Sequence, residues 1–156
     1  MEIKIEKTMD SKLLTKLNRD VQDIHSIIEP ELFKPYDEDG IKKYFDSVLT
    51  KEDVTAHIAY SDGKPAGYVI LIRRNYPENA FSKSFSAIYV DHICVDDKYK
   101  RSGIGKVLID FVKAVAKDNK INRIELNYWT ANKNAGKFFK KQGFEVYNEK
   151  MCIKVK

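Results

Sequence analysis

Residues 99–111, YKRSGIGKVLIDF, decide how the rest of the chain is interpreted. Gly103 and Gly105 lie one residue apart in a basic turn, and apolar side chains then recur at helical spacing over residues 104–115. The ten residues before this stretch, AIYVDHICVD (87–96), are rich in β-branched and aromatic side chains and predict a strand. Since a helix follows the strand through this short turn, the stretch predicts one parallel crossover unit of an α/β sheet.

The turn has the composition of an anion site. Nine residues hold four cations and no acid: Lys98, Lys100, Arg101 and Lys106. A helix N-terminus leaves backbone N–H groups unpaired and favours an anion, and glycine lets a phosphate approach the backbone. A Walker A loop is excluded because Val107 follows Lys106, and a dinucleotide fingerprint is excluded because Leu108 replaces its third glycine. Phosphate binding and a helix start with solvated lysines both remain open from the turn alone.

Working outward, the chain alternates between strand and helix patterns. Strands are predicted over 1–8, 55–60, 67–75, 87–96 and 121–130, with one or two closing strands in 144–155. Helices are predicted from a cap at Asp10 or Ser11 to residue 17, then over 21–28, 41–50, 104–115 and 132–142. This order predicts an α/β (α+β) fold with a single domain, 1–156, in which strands 87–96 and 121–130 are parallel neighbours.

Composition limits the class of protein. The chain has 156 residues, is 43% apolar and carries a formal net charge of +5. These values fit one packed domain with an anionic ligand, and the charge is too small to indicate a nucleic-acid binder. No apolar run approaches the roughly 20 residues of a membrane span. Cys94 and Cys152 show neither metal spacing nor a disulfide framework. We therefore expect a cytoplasmic protein with no metal, no nucleic-acid partner and no membrane partner.

Two motifs, in sequence order, resemble the GNAT superfamily of N-acetyltransferases. The first family signature is Arg or Gln, two residues, Gly, one residue, then Gly or Ala; this chain has KRSGIG from Lys100, with Lys as a departure. The second is Asn, two residues, Ala, two residues, Phe-Tyr, three residues, Gly-Phe; this chain has NKNAGKFFKKQGF (132–144). The resemblance implies a GNAT-like mixed, mostly antiparallel twisted sheet of six to seven strands with about four helices, whose central parallel strand pair splays apart at the cofactor site.

The resemblance also implies acetyl-CoA as the cosubstrate. In the family, the glycine turn cradles the pyrophosphate, the preceding strand pairs with the pantetheine arm, and the motif asparagine contacts that arm. The implied cofactor-binding residues lie in the strand, the turn and the second motif: Ile93, Cys94, Val95, Lys100, Arg101, Ser102, Gly103, Ile104, Gly105, Lys106, Asn132, Phe138 and Phe139.

Direct transfer of the acetyl group to a primary amine is the chemistry that the resemblance implies. The N–H of Ile93 would polarise the thioester carbonyl, as an oxyanion-hole donor does. Asp91 is the first candidate for the base that takes the amine proton and His92 is the second, and a role of Asp91 limited to orienting the substrate remains open. Because Asp91 lies two residues before Ile93, regular alternation predicts that both point to one face of the strand and His92 to the other.

The general acid departs from the family pattern, since Phe139 stands where the family has tyrosine. Tyr128, our candidate catalytic hydroxyl, or Tyr147 could replace it, or the thiolate could leave unaided. A third alternative is a catalytically weak, CoA-binding regulatory module. Cys94 could be an acyl nucleophile with the neighbouring His92 as its base, but a small residue that packs in the strand explains it better, and the resemblance implies direct transfer.

The acceptor amine is not identified by the sequence. The segment EPELFKPYDED (29–39) carries five acids against one lysine. This composition favours a cationic amine of a small molecule or a protein, although a solvated acidic loop explains it as well. The resemblance also allows a homodimer formed through the closing strands.

Overall fold

The sheet is built from five strands that lie side by side in the order in which they occur along the chain. A computed structural model describes all residues, 1–156. The strands are β1 (Ile3–Thr8), β2 (Val54–Ser61), β3 (Lys64–Tyr76), β4 (Phe85–Val95) and β5 (Ile124–Leu126). The helices are α1 (Ser11–Ile28), α2 (Glu38–Val48), α3 (Ile104–Asp118) and α4 (Lys133–Lys141).

The first four strands are antiparallel, and the predicted β2–β3 hairpin is confirmed. Its two turn residues, Asp62 and Gly63, have φ angles of 48° and 78°. Two successive left-handed residues twist a tight turn in the same sense as the flanking strands, which explains why the Asp-Gly pair closes this hairpin.

The predicted parallel pair is also confirmed, because β4 and β5 are joined by α3 and run in the same direction. Their pairing is short, however, and involves only residues 88–90 of β4 and 124–126 of β5. The prediction of a strand over 121–130 was therefore too long. Beyond Val90, β4 continues to Val95 while β5 has ended, so this part of its edge has no strand partner.

The N-terminal helical region is one helix rather than the two predicted segments. Asp10 caps it by accepting the N–H of Leu13 at 3.0 Å, and it ends at Ile28, before Pro30. Apolar side chains continue at helical spacing across residues 17–21, so nothing in that stretch interrupts the helix. None of the helices combines the length and the apolarity needed to span a membrane.

Apolar clusters cover both faces of the sheet. The cluster beneath α1 and α2 includes Leu14, Phe45, Ile58, Tyr68 and Ile70. The cluster beneath α3 includes Val69, Leu71, Ile104, Leu108 and Val112. Each fully buried large apolar side chain stabilises the fold by roughly 1.5–3 kcal/mol relative to exposure, so the two clusters hold the sheet firmly between the helices.

The closing strands predicted within 144–155 are absent, and the sheet has five strands rather than six to seven. Phe144 packs on Phe139, but the last residues are exposed, including Met151, Ile153 and Val155. The alternating pattern in this segment predicted a strand, yet a strand also needs a neighbour that offers free N–H and C=O groups. The rest of the chain does not place one beside these residues.

A substitution at Gly67 tests the contact that fixes β3 against the site strand. A Cβ at Gly67 would lie 2.5 Å from the carbonyl oxygen of Cys94, and this backbone atom cannot move without disturbing the β3–β4 pairing. We expect Gly67→Ala to lower the free energy of unfolding by about 1–3 kcal/mol, as overpacking does. Chemical denaturation measures the change, with the exposed Lys64→Ala on the same strand as the control. A Gly67→Ala protein as stable as Lys64→Ala would contradict this packing.

Candidate active site

A β-bulge at Asp91 sets the geometry of β4. His92 lies opposite Ile70 and Val90 lies opposite Leu71, so Asp91 has no partner on β3. The extra residue shifts the alternation of the strand by one position, and both side chains and backbone groups change direction there.

The bulge places the Asp91 and His92 side chains on the same face of the sheet, the one covered by α1 and α2. Nε2 of His92 lies 3.6 Å from Oδ2 of Asp91, and the Tyr44 hydroxyl of α2 donates to the same oxygen at 3.4 Å. Ile93 packs on the opposite face, with the cluster beneath α3. The prediction that Asp91 shares a face with Ile93 and opposes His92 was therefore wrong, because regular alternation does not count a bulge.

The bulge also decides which backbone groups reach the open edge of β4. The N–H of Asp96 bonds to the carbonyl of Ala66 on β3 at 2.8 Å. N–H groups alternate between the two edges of a strand, so those of Ile93 and Val95 point the other way, past the end of β5 at Leu126. These free edge groups can pair with an extended ligand as they would with another strand.

Cys94 is turned away from this edge. Its thiol is buried and donates to the carbonyl of Leu17 in α1 at 3.2 Å. Burial raises the pKa of the thiol to about 12, so the nucleophilic thiolate is not formed at neutral pH. Of the three β4 residues predicted to bind the cofactor, only Ile93 and Val95 direct N–H groups to the opening, because the N–H of Cys94 faces β3.

The glycine turn presents free N–H groups at the start of α3. Arg101 and Gly103 have positive φ angles of 63° and 87°, and this conformation folds the chain tightly between β4 and the helix. The first helical hydrogen bond runs from Val107 to the carbonyl of Gly103 at 3.0 Å, so the N–H groups of residues 104–106 have no partner in the chain. Free N–H groups and the helix dipole together suit a phosphate.

The cations of the turn differ in availability. Lys100 is paired with Asp97, and Lys106 is paired with Asp110 at 2.5 Å, so acids outside the turn neutralise part of its charge. Lys98 and Arg101 are exposed and make no ion pair. Among the predicted cofactor-binding residues, Arg101 therefore carries the unneutralised positive charge, and the Ser102 hydroxyl is occupied by the carbonyl of Tyr99.

The second motif packs directly against the turn. A Cβ at Gly105 would lie 3.0 Å from the ring of Phe138, so a larger residue here would require that ring to shift. A Cβ at Gly136 would likewise lie 2.8 Å from the ring of Tyr128. The Phe138 ring of α4 thus lies beside the start of α3. Phe139, by contrast, is only 8% exposed and lies among aromatic rings.

Asn132 and Tyr128 keep polar groups free beside α4. Asn132 caps the helix by accepting the N–H of Ala135 at 3.1 Å, which leaves its amide Nδ2 available to donate. The Tyr128 ring is 6.2 Å from that of Phe139, and its hydroxyl makes no hydrogen bond within the chain. Tyr147, the other hydroxyl considered, bonds instead to Glu125, which raises its pKa.

Two cavities differ in their relation to these residues. The larger, about 800 Å³, lies at the far end of α3 beside β5, and of the candidate residues only Tyr147, the alternative hydroxyl, lines it. The smaller, about 210 Å³, includes Asp91 and Tyr44. Its remaining lining residues are Ser47, Val48, Lys51, Asp53, Val54 and Ile72. No group of three or more His, Cys, Asp or Glu side chains is arranged to hold a metal ion.

Sequence reasoning missed the polar side chains behind Asp91. The hydroxyl of Tyr68, which is fully buried, lies 3.3 Å from Nδ1 of His92 and accepts from the amide of Asn18 at 2.9 Å. One signal was available: Tyr68 places a hydroxyl within the otherwise apolar run YVILI (68–72), and a buried hydroxyl requires a partner.

Alkylation tests the state of the two cysteines. With iodoacetamide at mildly alkaline pH, we expect exposed Cys152 to be modified while Cys94 stays unmodified, since Cys94 is buried and its pKa is about 12. Mass spectrometry of tryptic peptides measures both sites. The denatured protein, in which both cysteines should react, is the control. Equal modification in the folded protein would show that Cys94 is accessible after all.

Comparison with known proteins identifies the family of this chain. Residues 21–144 match the acetyltransferase (GNAT) family. The fold is similar to that of a tetramutant of the BH1408 protein from Bacillus halodurans, with a TM-score of 0.91, 18% identity and coverage of 99% of this chain and 100% of that one. It is also similar to a predicted acetyltransferase with acetyl-CoA from Clostridium acetobutylicum, with a TM-score of 0.72, 18% identity and coverage of 98% of this chain and 96% of that one. A third similar structure is an aminoglycoside 6'-N-acetyltransferase from Acinetobacter haemolyticus, with a TM-score of 0.71, 16% identity and coverage of 98% of both chains. The family match spans most of the chain, and the protein belongs to the GNAT acetyltransferase family.

Proposed function

We propose that the protein is an acetyl-CoA-dependent N-acetyltransferase that moves the acetyl group directly from the thioester to a primary amine of a small molecule or a protein. One arrangement supports this proposal: the bulge puts the Asp91 carboxylate on the face beneath α1 and α2, the N–H groups of Ile93 and Val95 point to the open edge, and the free N–H groups that begin α3 follow the end of the same strand. The arrangement combines a base, a strand edge and an anion site within one short stretch of chain.

Three parts of the chain would hold the cosubstrate. The N–H groups of residues 104–106, assisted by Arg101, bind the pyrophosphate. The free edge at Ile93 and Val95 binds the pantetheine arm, and the Asn132 amide donates to the same arm. Phe138 packs at the start of α3, where it covers one side of this path. When bound, acetyl-CoA supplies an acetyl group activated as a thioester.

Asp91 and Ile93 have separate roles in the proposed transfer. The Ile93 N–H donates to the carbonyl oxygen where negative charge develops, and this donor is already oriented by the strand. Asp91 accepts the proton of the incoming amine. A lysine-like amine has a pKa of about 10.4, so removing its proton at pH 7 costs about 4–5 kcal/mol, and a base placed within reach supplies the acceptor for that proton.

Tyr128 is the proposed donor to the leaving thiolate. Phe139 lacks a hydroxyl and lies among aromatic rings, whereas Tyr128 beside it has a free hydroxyl. The contribution of this donor is modest, because a thiol with a pKa of about 8.5 leaves readily without full protonation.

A small cationic amine is the acceptor that the surroundings of Asp91 favour. The cavity of about 210 Å³ is lined by two carboxylates, Asp91 and Asp53, against one cation, Lys51, together with Tyr44 and three aliphatic side chains. The acidic segment 29–39 contributes less than its composition suggests, because Glu31 is paired with Lys154. Small amines with a second cationic group therefore come first in a substrate panel.

Turnover with a panel of amines tests the proposal. We expect release of free CoA from acetyl-CoA with at least one class among diamines, polyamines, aminoglycosides, amino acids and lysine peptides. Asp91→Asn should lower kcat by about 10²- to 10⁴-fold, the usual contribution of a general base. Acetyl-CoA affinity, measured by calorimetry, should change little.

The matched control is Asp118→Asn, an exposed carboxylate at the end of α3. It should retain the wild-type rate. Absence of acetyl-CoA binding would overturn the proposal entirely. Binding without turnover across every amine class would count against the enzymatic function, and full activity in Asp91→Asn would remove Asp91 as the base.

Tyr128→Phe tests the proton donor. We expect kcat to fall by up to about tenfold while acetyl-CoA affinity is retained, because one hydrogen bond of typical strength is lost. Steady-state kinetics measures the effect. The control is Tyr76→Phe, whose hydroxyl interacts with Glu125 instead. Equal rates for the two variants would show that the thiolate leaves without Tyr128.

A further inference from the structure

A buried tyrosine stands behind the Asp91–His92 pair. Tyr68 is fully buried in the cluster beneath α1 and α2, where water cannot hydrate its hydroxyl. Two polar atoms lie within hydrogen-bond distance: Nδ2 of Asn18 at 2.9 Å and Nδ1 of His92 at 3.3 Å. The hydroxyl must find its partners among these two groups.

The chemistry of the partners fixes the direction of each hydrogen bond. The Asn18 atom that faces Tyr68 is the amide nitrogen Nδ2, which can only donate, so the Tyr68 oxygen accepts from it. The hydroxyl hydrogen of Tyr68 then has one acceptor, Nδ1 of His92. In the reverse arrangement Nδ1 would carry the hydrogen, and the buried hydroxyl hydrogen would have no partner, which costs about 1–3 kcal/mol.

We propose that Tyr68 holds His92 as the neutral Nε2–H tautomer, and that His92 is thereby a positioning residue for the Asp91 carboxylate. Nε2, which then carries the hydrogen, lies 3.6 Å from Oδ2 of Asp91, a few tenths of an ångström beyond hydrogen-bond range. The catalytic half of this inference rests on the proposed function, because it takes Asp91 as the base.

The charges around His92 agree with a neutral ring. Burial lowers its pKa, and this effect outweighs the opposing effect of the Asp91 carboxylate on the same strand. His25 of α1 lowers the pKa of His92 further. The centroid of the Tyr44 ring, from α2, lies 6.1 Å from that of the His92 ring. A neutral imidazole can be a donor through one nitrogen and an acceptor through the other, as this arrangement requires.

Positioning leaves one carboxylate oxygen free for the substrate. The Tyr44 hydroxyl and the His92 N–H both approach Oδ2 of Asp91, at 3.4 Å and 3.6 Å. Oδ1 has no partner in the chain and is available to the amine. These two groups beside Oδ2 favour one orientation of the carboxylate, in which Oδ1 is the proton-accepting atom.

Long-range ¹H–¹⁵N correlation spectra test the tautomer directly, without substrate. Near neutral pH we expect His92 to show one protonated and one unprotonated nitrogen, with the hydrogen on Nε2. The resonances of the three histidines are assigned with His92→Gln. Tyr68→Phe should convert His92 to a mixture of tautomers, whereas the control Tyr60→Phe, in the same cluster but without a hydrogen bond from its hydroxyl, should leave the spectrum unchanged.

Kinetics tests the positioning role with the best amine from the panel. We expect Tyr68→Phe to lower kcat by about 3- to 10-fold, the range that one hydrogen bond supports, with the KM for acetyl-CoA unchanged. His92→Leu should lose at least as much. His92→Gln should recover most of the rate, because its amide can place an N–H near the position of Nε2. Thermal melting confirms that each variant is folded.

Three results would overturn the inference. They are an Nδ1–H tautomer in the wild type, an unchanged tautomer in Tyr68→Phe, and a wild-type kcat in His92→Leu when Asp91→Asn is impaired. Full activity of Asp91→Asn would instead refute the role of Asp91 in the proposed function, and the spectra would still decide the tautomer. Should Tyr68→Phe fail to fold, the wild-type spectrum and the His92→Gln and His92→Leu rates decide the matter.

Discussion

One extra residue in β4 controls the geometry of the whole site. Without the bulge at Asp91, regular alternation would turn the N–H groups of residues 92 and 94, rather than 93 and 95, to the open edge. The thiol of Cys94 would also leave the core beneath α1. The bulge changes the phase of the strand once, and both the carboxylate and the backbone donors take their directions from that change.

The anion site depends on backbone groups more than on the number of cations. Four positive charges in the turn suggest a strongly basic pocket, but Asp97 and Asp110 pair with two of them. The N–H groups of residues 104–106 have no such competitor, and they point where the helix dipole also favours an anion. Exposed ion pairs contribute little to stability, so an incoming phosphate can replace them at small cost.

The two glycines of the turn act differently, although the sequence presents them alike. Gly103 adopts a left-handed conformation in open space, so its role is conformational. Gly105 has no such conformation; a Cβ there would meet the Phe138 ring, so its role is to leave room for that ring. The second motif therefore helps to complete the site by packing against the first.

The sequence by itself determined the parallel unit of 87–126, the β2–β3 hairpin at Asp62 and Gly63, and the two motifs of the site. Local propensity and short-range spacing specify all of these. Only the tertiary structure decided that Asp91 and His92 share a face, that α1 is continuous, and that residues 144–155 form no strand. A bulge and the presence of a neighbouring strand depend on pairing between distant segments. Periodicity along one segment carries no information about such pairing.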